Sequence, residues 1–470
     1  MNHFVTEASR DKSRLVPTAK AKIIFGNYIM KKLILSILLS FFFFSCKEEP
    51  TKPPTEANLS LEVLDKSCTE VWIDIKANDQ ANKLGSVYFN DEFRTQFYLK
   101  DTLVYLDELL PNKTYTIKLT NQDGIGTQAE FTTMDTTSHN FTWETFEFGG
   151  AKGSSYLRDV AIINENDIWA VGEIFTEDTY TYDSNGVFQQ PYNAVHWDGN
   201  EWELKRIMFY IDPDQPNAGK TSSACVSVFK FDNGDYIITS NVQAAVFRNG
   251  SDQYQLIHES FSWEERFGLN AIWGKSTNAF YAIGEKGNIA HYNGSSWSKI
   301  ESGTNLDIQD IYGSLNPKTN NYEIIAIASN IMTADGRTVM KIKNNEVEQL
   351  STNGLANYFS SIWFVPNRIY YIAGAGIHKK HDIEMESNWY KYPYGFINQY
   401  YTHSIYGNDI NDIFAVGSFG EAIHFNGASW KKYREIQLTN YDLKSVKMKN
   451  NLIVIAADGG GKAVIIISNN

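Results

Sequence analysis

Three histidines recur in matching surroundings. His196, His291 and His424 each stand two residues before an Asp-Gly or Asn-Gly pair. Imidazole is a common metal ligand, so a metal centre is the first chemistry to consider. Their equivalence argues against it. Residues at the same place in successive repeats point outward around a ring and cannot converge on one ion, so a structural role is expected, each histidine satisfied within its own repeat. Carboxylates come next. Asp159 and Asp310 fall on predicted inner strands and, with Ser404, line a predicted central channel. Glycoside hydrolysis needs a carboxylate pair across a cleft, and these two acids lie three repeats apart. Asp212-Pro-Asp-Gln-Pro-Asn217 and Asp232-Asn-Gly-Asp235 offer oxygen ligands that suit structural calcium, though both read more simply as turns. No other cofactor is expected, since no phosphate loop and no nucleophile motif occurs.

The elements that would position these residues come from a repeat. Ala194–Trp202, Ile289–Trp297 and Ala422–Trp430 nearly copy one another, each a strand, an Asn-Gly or Asp-Gly turn and a strand opening on tryptophan. Asn and Gly tolerate the positive φ of a two-residue hairpin, which is the expected turn. Trp202 to Trp297 spans 95 residues and Trp297 to Trp389 spans 92, against 41 from Trp389 to Trp430. Degenerate copies should therefore lie between the clear ones, and Tyr236–Gly250 and Glu323–Asn344 supply them. A period of about 41–50 residues with four short strands per unit is propeller spacing. Upstream phrases such as Asn166–Gly172, Asn278–Gly284 and Asn411–Gly417 read as buried second strands. First strands fall near Asp159, Ser227, Ala271, Asp310, Ser361, Ser404 and Ser445, which makes seven units. The seventh lacks its fourth strand, while Phe141–Phe148 is an orphan with Trp143 in the repeat's tryptophan place. The chain is thus expected to be all-β, with residues 141–470 a seven-bladed β-propeller closed by an N-terminal strand.

Three resemblances add to this reading. Met30-Lys-Lys32, the apolar run Leu33–Phe44 and Ser45-Cys46 together resemble a bacterial lipoprotein signal peptide over residues 30–45. The apolar run is too short to cross a bilayer. Residues 1–29 then read as a mis-called N-terminal extension. The resemblance implies lipid on Cys46, and Lys47-Glu48-Glu49 resembles the surface-export signal of Bacteroidetes lipoproteins. That implies an outer-membrane anchor facing the cell exterior, with a periplasm-facing anchor as the alternative. Residues 46–58, with Pro50, Pro53 and Pro54, form a stiff polar linker. Residues 57–136 alternate as short strands, with Trp72 a candidate core residue. Leu110–Ile117 resembles the fibronectin type III phrase in which a tyrosine, here Tyr115, bonds back to its corner.

The Asn-Gly-x-x-Trp hairpin resembles the Asp-box of sialidases and other propeller glycosidases, and departs from it. Asn293 abuts Gly294, and His291 stands where the box has serine. Of seven arginines in the propeller, only Arg158 starts an inner strand, whereas sialidases use three.

Composition sets bounds. A net charge of −13 argues against nucleic acid partners and against a polybasic membrane patch. With Cys46 assigned to lipid, Cys68 and Cys225 lie in different domains, so no disulfide is expected. Aromatic residues reach 14%, more than the blades alone account for. Many sit in long connections on one face, where the loops between second and third strands and between successive blades gather. Tyr180, Tyr182, Phe188 and Tyr192 occupy the first such loop, Tyr210 and Trp263 the next connections, and Tyr392, Tyr394, Tyr400 and Tyr401 a later one. These are the candidate ligand contacts, since loops on a rigid scaffold carry function. The alternative is that the rings only pack the loops. The expected function is a non-catalytic, surface-anchored binding or assembly protein whose partner is a glycan or another envelope protein. A propeller-type carbohydrate-active enzyme is one rival; a chaperone-like scaffold, resembling assembly-factor propellers, is another.

Overall fold

The computed structural model describes residues 21–24, 59–257, 268–330, 336–393, 395–436 and 440–469. Cys46, its flanking signal and linker, Trp263 and Tyr394 lie outside the described residues. The chain forms two compact units, Met1–Thr136 and Thr137–Asn470.

The first unit contains two four-stranded antiparallel sheets. In one, Ala21–Ile24, Thr102–Leu106, Val71–Lys76 and Ser60–Lys66 lie in that order. In the other the order is Glu92–Tyr98, Leu84–Phe89, Thr114–Asn121 and Gly126–Thr132. Alternate residues fill the core between them, among them Val71, Ile73, Val104, Phe89, Ile117 and Phe131. Trp72, expected in this core, takes the opposite face of its strand because side chains alternate. It is buried there with its ring 5.5 Å from that of Tyr105. Tyr115 belongs to the core, and its hydroxyl accepts the N–H of Leu110 at 2.9 Å.

The second unit is a succession of seven four-stranded antiparallel sheets. Blade 1 is Tyr156–Asn164, Asp167–Ile174, Tyr192–Trp197 and Trp202–Lys205, here strands a to d from the inside out. Strands a of blades 2 to 7 are Ser227–Lys230, Leu269–Ser276, Ile308–Asn316, Phe359–Val365, Thr402–Asp409 and Tyr441–Lys449. Each contains the residue from which the repeat was counted. Blade 7 continues with Leu452–Gly459 and Lys462–Asn469, and its fourth strand is Thr142–Phe148, paired with Trp143 opposite Ser468. The orphan strand therefore closes the ring as expected. Without it, strand c of the last blade would be left as an open edge. Apolar clusters lie between neighbouring blades. Ile465 and Val454 of blade 7 pack with Leu157 and Ile168 of blade 1, and Trp169 and Val171 of blade 1 pack with Tyr236 and Phe247 of blade 2.

The repeated turn differs from the expected two-residue hairpin. Trp197 pairs with Trp202, Tyr292 with Trp297 and Phe425 with Trp430, leaving four residues in each loop. Only the glycine takes positive φ, at 95°, 94° and 94° for Gly199, Gly294 and Gly427. The first residue caps the loop with its side chain instead. Asp198 Oδ1 accepts the N–H groups of Asn200 and Glu201, both at 2.8 Å, and Asn293 and Asn426 do the same for their loops. Asp and Asn are thus present as acceptors, not as left-handed residues.

The glycine ending several strands a has a packing reason. Trp273 of blade 3 donates its indole N–H to Gly313 O of blade 4 at 2.9 Å, and a Cβ on Gly313 would lie 2.3 Å from the Trp273 ring. A Cβ on Gly407 of blade 6 would likewise lie 2.8 Å from the Trp363 ring. Gly313→Ala should therefore cost about 1–3 kcal/mol by overpacking. Urea unfolding followed by tryptophan fluorescence measures it, and an unchanged midpoint would contradict the account.

Candidate functional site

The repeated histidines are held by blade contacts. His196 Nε2 donates to Asp167 Oδ1 at 3.0 Å, with its ring stacked on Trp169 at 4.2 Å. His424 is buried, and its Nε2 donates to Asp412 Oδ1 at 2.8 Å. Both acids belong to the same blade as their histidine. His291 differs, because Ala279 replaces that acid. Its ring packs on Tyr281, and its polar contact, Asn345 Nδ2 at 3.4 Å, comes from the next blade.

The two calcium candidates hold carboxylates already engaged by protein donors. Asp212 accepts from Asp214 N–H and the Gln215 amide. Asp235 accepts from Arg248, Asn233 and Asn249 N–H, and Asp232 from the Tyr322 hydroxyl. Among the described residues, no group of three or more His, Cys, Asp or Glu side chains is placed to hold a metal ion.

The central channel residues form an inter-blade girdle. Asp159 Oδ2 accepts Ser227 Oγ–H at 2.9 Å and Val228 N–H at 3.0 Å from blade 2, while its Oδ1 accepts Ser445 Oγ–H at 2.8 Å from blade 7. Asp310 repeats the pattern toward blade 5, accepting Ser361 Oγ–H and Ile362 N–H at 2.9 Å. Ser361 Oγ in turn accepts Ile405 N–H, and Ser404 Oγ accepts Val446 N–H. Of the seven positions by which the blades were counted, Asp159, Asp310, Ser361 and Ser404 thus accept an N–H of the next blade, while Ser227 and Ser445 donate to Asp159. Ala271 can do neither. There the neighbours are joined instead by Asn270 Nδ2–H to Ile308 O at 2.9 Å.

Burial holds the Asp310 carboxyl up at about 6, against the lowering pull of Ile362 N–H, Lys447 and Ser361. A carboxyl raised on folding favours the protonated form. Its stabilising contribution is full below the ordinary value near 3.8 and is lost as pH rises through about 6. Asp310→Asn should flatten the stability profile between pH 4 and 6; an identical slope in thermal melts of both proteins would count against it.

Of the loop aromatics, some pack and some do not. Tyr192 lies under the Arg206 guanidinium at 3.6 Å, Tyr210 beside Lys220, and Tyr392 against Trp430 at 5.8 Å. Tyr401 is largely buried, with its ring on His403 and burial pushing its hydroxyl pKa up. The others are offered to solvent. In blade 1, the loop between strands b and c folds back so that Tyr182 bridges to Phe188 around a turn capped by Asp183. Asp178 fastens its base, accepting from Arg206 and Tyr192. Tyr182 is 72% exposed, Tyr180 56% and Phe188 44%, and their rings touch one another. Tyr180 also takes a left-handed φ of 61°, uncommon for a bulky side chain.

A second patch gathers on blade 6. Tyr400 packs against Phe419 with ring centres 4.7 Å apart and planes tilted by 51°, and exposed Phe396 lies in the same connection as Tyr400. Glu421 accepts the N–H groups of Gln399 and Tyr400 and fixes that connection. Phe419 escaped the sequence reading because it sits in the short turn Ser418–Gly420 rather than a long loop. Its φ is 57°, and Lys286 holds the same conformation in the equivalent turn of blade 3. The signal was there: blade 6 has Ser-Phe-Gly where blade 3 has Glu-Lys-Gly.

Seven antiparallel blades around a channel, closed by an N-terminal strand, define a β-propeller. The comparison with solved structures agrees on that class. No family model matches the sequence, and no curated protein sequence matches it. Among solved structures, the chain is similar to YCF48 bound to D1 peptide, at 12% identity over 71% of this chain and 99% of that one, with a TM-score of 0.51. It is similar also to YCF48 from Cyanidioschyzon merolae, at 12% identity over 69% and 98% with a TM-score of 0.48, and to the WD40 repeats of RRP9, at 10% over 70% and 100% with 0.49. At such identities the likeness is one of fold alone.

Proposed function

We propose that this chain is a non-catalytic, surface-anchored binding or assembly protein that recognises a glycan or an envelope protein through the loop face of its propeller. One observation carries the reading. Tyr180, Tyr182 and Phe188 on blade 1, and Phe396, Tyr400 and Phe419 on blade 6, expose large rings on loops fastened by buried or charged groups. Exposed rings on a fixed frame suit stacking on sugars or the centre of a protein interface. The left-handed φ of Tyr180 points the same way, since strain persists where a side chain's placement matters. YCF48 is bound to a D1 peptide in its own structure; the reading here rests on this chain's loops.

The proposal includes lipid on Cys46, an outer-membrane position facing the cell exterior, and a fibronectin type III-like spacer. For the spacer, which the lipidated chain would form without Ala21–Ile24, the support is the seven antiparallel strands from Ser60–Lys66 to Gly126–Thr132 and the Leu110–Tyr115 corner bond. Cys46→Ala should release the protein from membranes into the soluble fraction; retention would defeat the anchor.

A glycan array read together with reducing-sugar release tests the function. Glycan bound without product supports it. Released sugar would replace it with the carbohydrate-active enzyme, and no glycan with a stoichiometric envelope protein on purification would favour the assembly scaffold. Phe419→Gly separates binding from folding. It relieves the left-handed strain, so the melting temperature should hold or rise, by up to about 1 kcal/mol in stability. Affinity for the partner so found should fall about tenfold. Unchanged affinity would remove blade 6 from the site.

A further inference from the structure

The protein carries a net charge of −13, yet one mouth of its central channel collects lysines. Lys230 ends strand a of blade 2, and Lys447 and Lys449 end strand a of blade 7. All three are half-buried and line a cavity of about 440 Å³. None forms an ion pair among the described residues. Lys449 donates to Ile163 O at 3.1 Å, and Lys447 lies 5.0 Å from the centre of the Tyr406 ring. Three acids line the same cavity and are engaged by neutral donors: Asp232 accepts the Tyr322 hydroxyl at 2.6 Å, Asp310 accepts Ser361 and Ile362, and Asp159 accepts Ser227, Val228 and Ser445. The Lys230 ammonium is held below its usual pKa by burial first and by Lys449 second, with Asp232 opposing both. Like charges gathered in a part-desolvated mouth cost stability unless an anion joins them.

Tyr406 stands beside Lys447, and Tyr312 meets it edge to face at 6.2 Å. Further in, the wall carries amides and hydroxyls, including Asn270, Gln309 and Ser360. A cavity of this volume is in the range of small-ligand sites. Ammonium groups, phenol rings and amide oxygens lining one cavity are complementary to a carboxylated sugar. We propose that this channel mouth binds an acidic saccharide of one or two rings, its carboxylate against Lys230, Lys447 and Lys449 and its ring against Tyr406. This site is separate from the aromatic loop face and does not depend on it.

Titration calorimetry on the full chain in detergent tests the site with digalacturonate, neutral digalactose and citrate. Digalacturonate should bind at least about tenfold tighter than digalactose, and binding should weaken with added salt. It should also bind tighter than citrate, which has carboxylates but no ring. The double variant Lys230→Met with Lys449→Gln should lose about tenfold or more for digalacturonate. Its melting temperature without ligand should equal or exceed the wild type, because the like-charge crowding is gone. Lys118→Gln, an exposed change in the first unit, is the charge control and should bind as wild type. No heat with any acid, equal affinity for the acidic and neutral sugars, or unaltered binding by the double variant would overturn the proposal. Citrate binding as tightly as digalacturonate would overturn the saccharide assignment.

Discussion

Asp159→Ala is expected to destabilise the propeller by roughly 1–3 kcal/mol, the range for leaving buried hydrogen-bond donors unsatisfied. One carboxylate accepts from Ser227 Oγ, Val228 N, Ser445 Oγ and its neighbour Val160 N, so it ties blades 7, 1 and 2 together. Ser227 and Ser445 are buried, so truncation strands donors that water cannot readily reach. Asp159→Asn keeps the shape but turns one acceptor into a donor, and should cost less than Ala and more than nothing. Chemical unfolding of both variants measures this. A loss under about 1 kcal/mol for Asp159→Ala would mean the girdle contributes little. It would also return Asp159 to the pool of residues free to meet a ligand.

Deleting residues 141–148 should have the larger effect. Thr142–Phe148 supplies the whole outer strand of blade 7, paired from Ala463 opposite Phe148 to Asn469 opposite Thr142. Trp143 packs against Phe414 at 5.7 Å and Tyr433 at 5.2 Å, and Phe146 against Trp202 of blade 1 at 5.8 Å. Removing the strand strips these contacts from both sides of the seam and opens the edge of Lys462–Asn469, an apolar strand suited to intermolecular pairing. The truncated protein should be found in the insoluble fraction or as soluble aggregates, and adding a peptide of residues 138–149 during refolding should recover monomer. A soluble, monomeric truncation with an unchanged melting temperature would contradict closure by this strand.

The scaffold was readable because its rules are local. Alternating apolar strands, an acceptor side chain before glycine, and tryptophan opening strand d recur within each period, so counting found the blade number and the missing strand. The turn type was misjudged for a physical reason. Asn before Gly serves a two-residue hairpin through its backbone, or a four-residue loop through its side chain, and the residue pair alone does not separate the two. Trp72 shows the same limit, since alternation names two faces and packing chooses the inner one.

The site was less readable. The sequence nominated ten loop aromatics as equals. Only the folded chain separates Tyr180, Tyr182, Phe188 and Tyr400, which face solvent, from Tyr192, which Arg206 covers, and Tyr392, which Trp430 meets. Phe419 entered for the opposite reason, through a left-handed turn that presents its ring.

By itself, then, the sequence determined an all-β chain with a seven-fold repeat and a ring closed by strand 142–148, because turn chemistry and periodicity act over a few residues. Tertiary structure alone decided what the inner positions do and which charged side chains share the channel mouth. Asp159 became a tie between blades because Ser227 and Ser445 arrive beside it from distant parts of the chain. Lys230 and Lys449 became one cationic mouth because closing the ring makes the first blades neighbours of the last. Side-chain chemistry is written residue by residue, but which side chains share a channel is set only when the ends of the repeat meet.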